Sequence, residues 1–301
     1  MNFVADILDA MSANQMPHVG NINLYTGVYH AFTSSSGNCK NNCCRYRIFE
    51  LQLGAHLICW KRNIDVFWFA KDRKTLTLKE KISFHNENEK VTKFRNDAYA
   101  KAAKRCVAFL TRATNLPNNS FLHPYTIRKK ISPYMAITVR QMLCILILNI
   151  DYEIQTLQFI KKNGFKLFKS GAKASCGMIW LCEHLAENYP GIIRICEGWA
   201  TGCTIRSITN SPVICALNAG NLPKVALALR KKYYKATILI CSDNDKVGLK
   251  FANEAAKING MSVHYPIFNK SNSKHTDFND LFILCGEKVT KSQLMLIRKS
   301  E

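Results

Sequence analysis

The chain has 301 residues, 48% of them hydrophobic, which is enough for two compact domains and too apolar for wholesale disorder. Its 42 Lys+Arg stand against 21 Asp+Glu, a formal net charge of +21 that calls for a polyanionic partner, most commonly nucleic acid. No run reaches the roughly 18 apolar residues of a membrane span, and Asp6 and Asp9 sit where a signal peptide would be basic, so a cytoplasmic protein without a membrane partner is expected.

The elements follow in chain order. Phe3 to Met11 has helical spacing, and RYRIFELQL, HLICWKR and DVFWFAK read as strands between polar turns. Asp97 to Thr114 is an amphipathic helix, with Lys101, Lys104, Arg105 and Arg112 opposite its apolar side. A basic, β-rich stretch comes next: HPYTIRKKISPY, MLCILILNI, EIQTLQFI and FKLFKSGAK. From about Pro190, apolar runs alternate with helices: IIRICEG, ATGCTIRSIT, VICALNAG, LPKVALALRKKY, TILICSDND, GLKFANEAAKING, SVHYPIF and DFNDLFIL. Gly260 stands where a helix C-cap belongs. Continuous apolar strands joined by helices predict a parallel sheet covered on both faces. The expected organisation is therefore a β-rich N-terminal accessory region (1–114), an α+β basic subdomain (115–189) and an α/β domain (190–301).

In such a sheet, ligands gather outside the carboxyl ends of the strands. Three acids fall there: Glu197 closes IIRIC, while Asp243 and Asp245 close TILIC. Three carboxylates brought together make sense around a divalent cation, and an all-oxygen set favours Mg²⁺ or Mn²⁺. Glu197 could be a ligand or could handle a proton, and both roles stay open.

EGWATG, ALNAGNLPKVALALRKKY, ILICSDND and DFNDL, in that order, resemble the Toprim domain of DNA primases from phages, conjugative plasmids and other mobile elements. The stretch HPYTIRKKISPY to FKLFKSGAK resembles the basic subdomain that precedes Toprim in bacterial-type primases. The resemblance implies Mg²⁺-dependent synthesis of short RNA primers from ribonucleoside triphosphates on a single-stranded DNA template, with a separately encoded helicase as partner. It implies catalysis and metal binding by Glu197, Asp243 and Asp245, with Asp277 and Asp280 beside the metal rather than on it. It also implies nucleic-acid or nucleotide contacts from Arg128, Lys129, Lys130 and Lys173. A Toprim-type nuclease and a non-catalytic module that binds single strands and recruits a helicase are the alternatives.

Lys161, Lys162, Lys166 and Lys169 interleave with Phe159, Phe165 and Phe168; the cations suit phosphates, while the ring spacing reads as core. The thirteen cysteines include no CxxC pair and read mainly as reduced, buried thiols. Cys39, Cys43 and Cys44, with His30 upstream and Cys59 downstream, carry metal-binding chemistry. Their spacing fails the usual pattern of the zinc ribbon that bacterial-type primases often carry, so zinc is not expected.

Overall fold

The computed structural model describes residues 2–35, 42–59, 64–113, 118–268 and 275–295. The chain divides into two compact units, 1–97 and 98–301. The boundary expected near residue 114 lies outside the described residues, as does Cys39.

The first unit is an antiparallel sheet in the order β1 (His30–Phe32), β2 (Cys44–Ile48), β3 (Gly54–Cys59), β4 (Ile64–Phe69). Alternation along β2 and β3 sends Tyr46, Ile48, Ala55 and Leu57 to one face, where α1 (Phe3–Ala13) supplies Ile7, Ala10 and Met11. The neighbouring Arg47 is buried on the other face, paired with Glu87 and donating to Asn88. Glu87 and Asn88 lie on α2 (Leu78–Ala113), a helix of 36 residues that begins well before the amphipathic stretch expected from Asp97. Its start is a capping box: the Glu80 carboxylate accepts from the Thr77 N–H, and the Thr77 hydroxyl accepts from the Glu80 N–H.

The second unit holds two sheets. An antiparallel meander comprises β5 (Ala136–Val139), β6 (Met142–Leu148), β7 (Ile154–Ile160) and β8 (Lys166–Phe168). HPYTIRKK, expected within β-rich sequence, instead forms a short helix, α3 (Pro124–Lys129). Pro124 suits its first turn, His123 caps its start and Lys130 closes it in the left-handed region.

The other sheet has the order β13 (Ser262–His264), β12 (Thr237–Cys241), β10 (Ile192–Cys196), β11 (Val213–Cys215), β9 (Ile179–Trp180). The first four strands are parallel and β9 is an antiparallel edge. Both faces are covered, as continuous apolar strands require. Trp199, Cys203 and Ile205 of α4 (Trp199–Thr209) and Phe278 and Leu281 of α7 (Phe278–Met295) pack in one cluster. Leu222, Val225 and Leu229 of α5 (Leu222–Lys232) and Ala252 and Ala255 of α6 (Lys246–Asn259) pack in the other. Ile238, Leu239 and Ile240 of β12 are each at most 5% exposed, worth about 1.5–3 kcal/mol apiece in burial. Gly260 ends α6 with φ 60°, as its sequence position anticipates.

Several bonds join the two sheets. Leu148 and Met178 exchange backbone hydrogen bonds of 2.9 and 2.8 Å, and Tyr152 and Tyr233 pair through their hydroxyls at 3.0 Å. On the other side, Trp199 Nε1 donates to the Tyr134 carbonyl at 2.9 Å. Asn279 Nδ2 donates to the Lys129 carbonyl and to Thr204 Oγ1.

Candidate active site

Parallel pairing of β10 and β12 places Cys196 opposite Cys241, so Glu197 and the Ser242–Asp243 step leave the same edge of the sheet. Gly248, in the first turn of α6, lies against both acids. A Cβ there would stand 2.9 Å from Glu197 Oε1 and 2.8 Å from the Asp243 carbonyl oxygen, so the close approach requires glycine.

The asparagine between the two aspartates has a separate task. Its N–H donates to the Thr276 carbonyl at 2.7 Å and its side chain to the Pro266 carbonyl at 3.0 Å, tying this loop to the segment that carries Asp277. Asp277, Glu197 and Asp243 line a cavity of about 530 Å³ that is also lined by Arg128, Lys129 and Lys166.

The acids differ in their surroundings. Asp243 is pushed up to about 8, first by burial and then by the Glu197 charge. Glu197 is pushed up to about 7, first by burial and then by Asp245, while an N–H from Ala219 and the Lys166 charge oppose the rise. Glu197 Oε1 and Asp243 Oδ1 are both buried without a hydrogen-bond partner among the described residues. Two orphaned carboxylate oxygens crowded at one strand edge fit a divalent cation, whose charge would return both groups to the ionised form.

Asp245 is exposed and caps α6, accepting from the N–H groups of Val247 (2.9 Å) and Gly248 (2.7 Å) through Oδ1. Asp277 also accepts from the Asp280 N–H at 2.8 Å, so it caps the start of α7 while facing the cavity. Asp280 points elsewhere: it pairs with Lys129 at 3.2 Å and accepts from the Thr276 N–H.

Of the four basic residues anticipated, Arg128 and Lys129 reach the cavity, while Lys130 and Lys173 are exposed and are not among the residues that line it. Arg128 is braced by the Lys162 carbonyl and lies over the Tyr125 ring. Lys166, Asn163, Thr201 and Asn218 line the cavity without having been singled out for this site from the sequence. Lys166 Nζ lies 3.8 Å from where a Cβ on Gly198 would stand, beside Glu197. Only its place in a run of spaced lysines hints at this, since the edge strand β8 sets its position. Asn218 follows Leu217, which takes the left-handed φ of 74° at the rim, a strained conformation for leucine. The ring spacing misled at β8: Phe165 is 56% and Phe168 41% exposed, because this edge strand has no covering layer. Phe159 alone packs inward, edge-on to Phe109.

Comparison with known proteins adds to this geometry. The family model described as Toprim domain matches residues 192–288. Two Escherichia coli proteins, each named DNA primase TraC, are 31% identical over 123 residues and 30% identical over 128 residues. Each alignment covers 38% of this chain, but only 12% and 8% of those relatives, so the chain matches about a tenth of their length. The crystal structure of the primase fragment of the bacteriophage T7 primase-helicase protein is 17% identical. It aligns over 56% of this chain and 70% of that one at a TM-score of 0.43, a similarity too loose to transfer residue roles. The parallel strands and their acidic edge lie within residues 192–288, the segment of this chain that matches the Toprim domain model.

Proposed function

We propose that this chain is the catalytic core of a DNA primase, joining ribonucleotides into short primers on a single-stranded DNA template. The observation that carries the reading is the pair of buried oxygens without a hydrogen-bond partner among the described residues, Glu197 Oε1 and Asp243 Oδ1, in a cavity also lined by Arg128, Lys129 and Lys166. That is the charge arrangement phosphoryl transfer needs: acids for a cation and bases for phosphates. The named relatives point to the same chemistry.

Glu197 and Asp243 would hold a divalent cation, Mg²⁺ or Mn²⁺, with Asp245 contributing the oxygen its cap does not use. Such an ion supplies Lewis acidity to the attacking 3′-hydroxyl and neutralises charge on the departing pyrophosphate. Arg128 and Lys166, which line the same cavity, orient the triphosphate, and bracing by the Lys162 carbonyl holds the Arg128 fork before substrate arrives. Lys129, which also lines the cavity, is held by an ion pair with Asp280. Before an ion binds, burial keeps Asp243 and in part Glu197 protonated near neutral pH, and the cation would displace those protons. Phe165 and Phe168, exposed beside Lys161 and Lys169, offer rings for the bases of the template. A cytoplasmic setting and a separately encoded helicase complete the proposal; no helix among the described residues is long and apolar enough to cross a membrane.

The test is primer synthesis. Purified protein with single-stranded DNA, labelled ribonucleoside triphosphates and Mg²⁺ yields short oligoribonucleotides, and Glu197→Gln or Asp243→Asn lowers the yield at least about 100-fold. Equal inactivity of folded wild type and both variants overturns the catalytic reading. Strand degradation without nucleotides identifies a nuclease instead, while strand binding indifferent to Mg²⁺ and to both variants identifies a recruiting module.

A further inference from the structure

The first unit contains a side-chain cluster that the primase reading does not use. Antiparallel register sets Cys44, the first residue of β2, directly opposite Cys59, the last of β3, and Cys43 precedes Cys44 in the chain. The sulfurs of Cys43 and Cys59 are 4.0 Å apart, and all three sulfurs lie within 4.8 Å of one another. Cys44 and Cys59 are buried, whereas Cys43 is half-buried.

We propose that Cys43, Cys44 and Cys59 form a three-thiolate site for a soft, thiophilic cation, with Zn²⁺ as its test case. Zinc–sulfur bonds are about 2.3 Å long, so three sulfurs around one ion stand roughly 3.8 Å apart. The 4.0 Å pair is nearly at that spacing, and the other sulfurs need to close by at most about 1 Å from the 4.8 Å limit. Each thiol releases its proton to solvent as its sulfur replaces a water on the ion; three protons leave per ion and no electron is transferred. Thiolate donors also separate this site chemically from the carboxylates of the second unit, because hard Mg²⁺ does not compete for sulfur.

The absence of CxxC spacing, which argued against zinc, does not bear on a site assembled by strand register. Its ligands come from adjacent positions on one strand and from the facing strand. A bound ion joins the start of β2 to the end of β3, and through the Cys59↔Ile64 pair it bears on the start of β4.

The experiment uses the full chain, reduced and stripped of metal, with excess Mg²⁺ present to occupy the acidic site. Titration with Cd²⁺, read by its ultraviolet thiolate charge-transfer band, and with Zn²⁺ against a chromophoric chelator should each show one tight equivalent. Cys43→Ser should weaken both at least tenfold, and Cys285→Ser, at an exposed cysteine, should leave them unchanged. Because Cys43 is only half-buried, its serine variant should fold, which circular dichroism checks, and Zn²⁺ should raise the unfolding temperature of wild type but not of this variant. No charge-transfer band in wild type, or equal Cd²⁺ affinity in wild type and Cys43→Ser, overturns the site.

Discussion

Asp243 imposes a cost that its position makes unavoidable. Its carboxyl lies near 3.8 in an unfolded chain and about 8 in the folded one, so between these values the folded state keeps a proton that the unfolded state has released. The associated stability is therefore complete below about pH 4 and is lost as pH rises to about 8. Glu197, raised from 4.5 to about 7, acts in the same direction. In the presence of a chelator, wild type should lose thermal stability between pH 5 and pH 8, and Asp243→Asn should flatten the profile and melt higher at pH 8. A tenfold change in proton affinity is worth about 1.4 kcal/mol, so the gap should be easily read from melting curves. Parallel profiles for wild type and variant would contradict the buried placement. The same acid should thus be destabilising without metal and indispensable to activity.

At the scale of elements, the parallel strands were legible because a strand buried on both faces is a nearly continuous apolar run, as TILIC and IIRIC are; the exception, Arg194, is buried and donates to Ser211 Oγ. The acids were legible because each follows the last apolar residues of its run, where the strand ends. The first half of α2 was not legible. TLKEKISFHNENEKVTKFRND has no apolar stripe, and this part of the helix draws support from the Thr77–Glu80 box and the buried Arg47–Glu87 pair, one local and polar, the other made only by tertiary contact. Lys166 was obscure for a related reason: an edge strand of three residues leaves no periodic trace, yet it decides which lysine meets Glu197. How closely α4 packs on the sheet depends on Gly202, where a Cβ would press on Cys215 Sγ and stand 2.9 Å from Leu181 Cδ1. Gly202→Ala should therefore destabilise the protein by about 1–3 kcal/mol in urea unfolding, despite the better helix propensity of alanine. A stabilised variant would show that α4 has room to move away.

For the whole molecule, a net charge of +21 coexists with an acidic centre, and the two should be experimentally separable. Roughly five phosphate contacts to a single strand give a slope near −3.5 in log affinity against log salt. Fluorescence anisotropy with a labelled oligonucleotide should show that steepness in wild type and, unchanged, in Glu197→Gln. A shallow slope would mean that the positive charge is a dispersed solvated surface rather than a track for DNA.

The bonds that join the two sheets of the second unit have a consequence in time. The backbone exchange between Leu148 and Met178 and the Tyr152–Tyr233 pair hold one side, while Asn279 and the Trp199 indole hold the other. Hinged enzymes assemble their sites by closing on substrate, commonly on microsecond to millisecond timescales. If the proposed activity holds, a cleft fastened on both flanks should have little such stroke to make, so that its walls would stand near working distance before a nucleotide arrives.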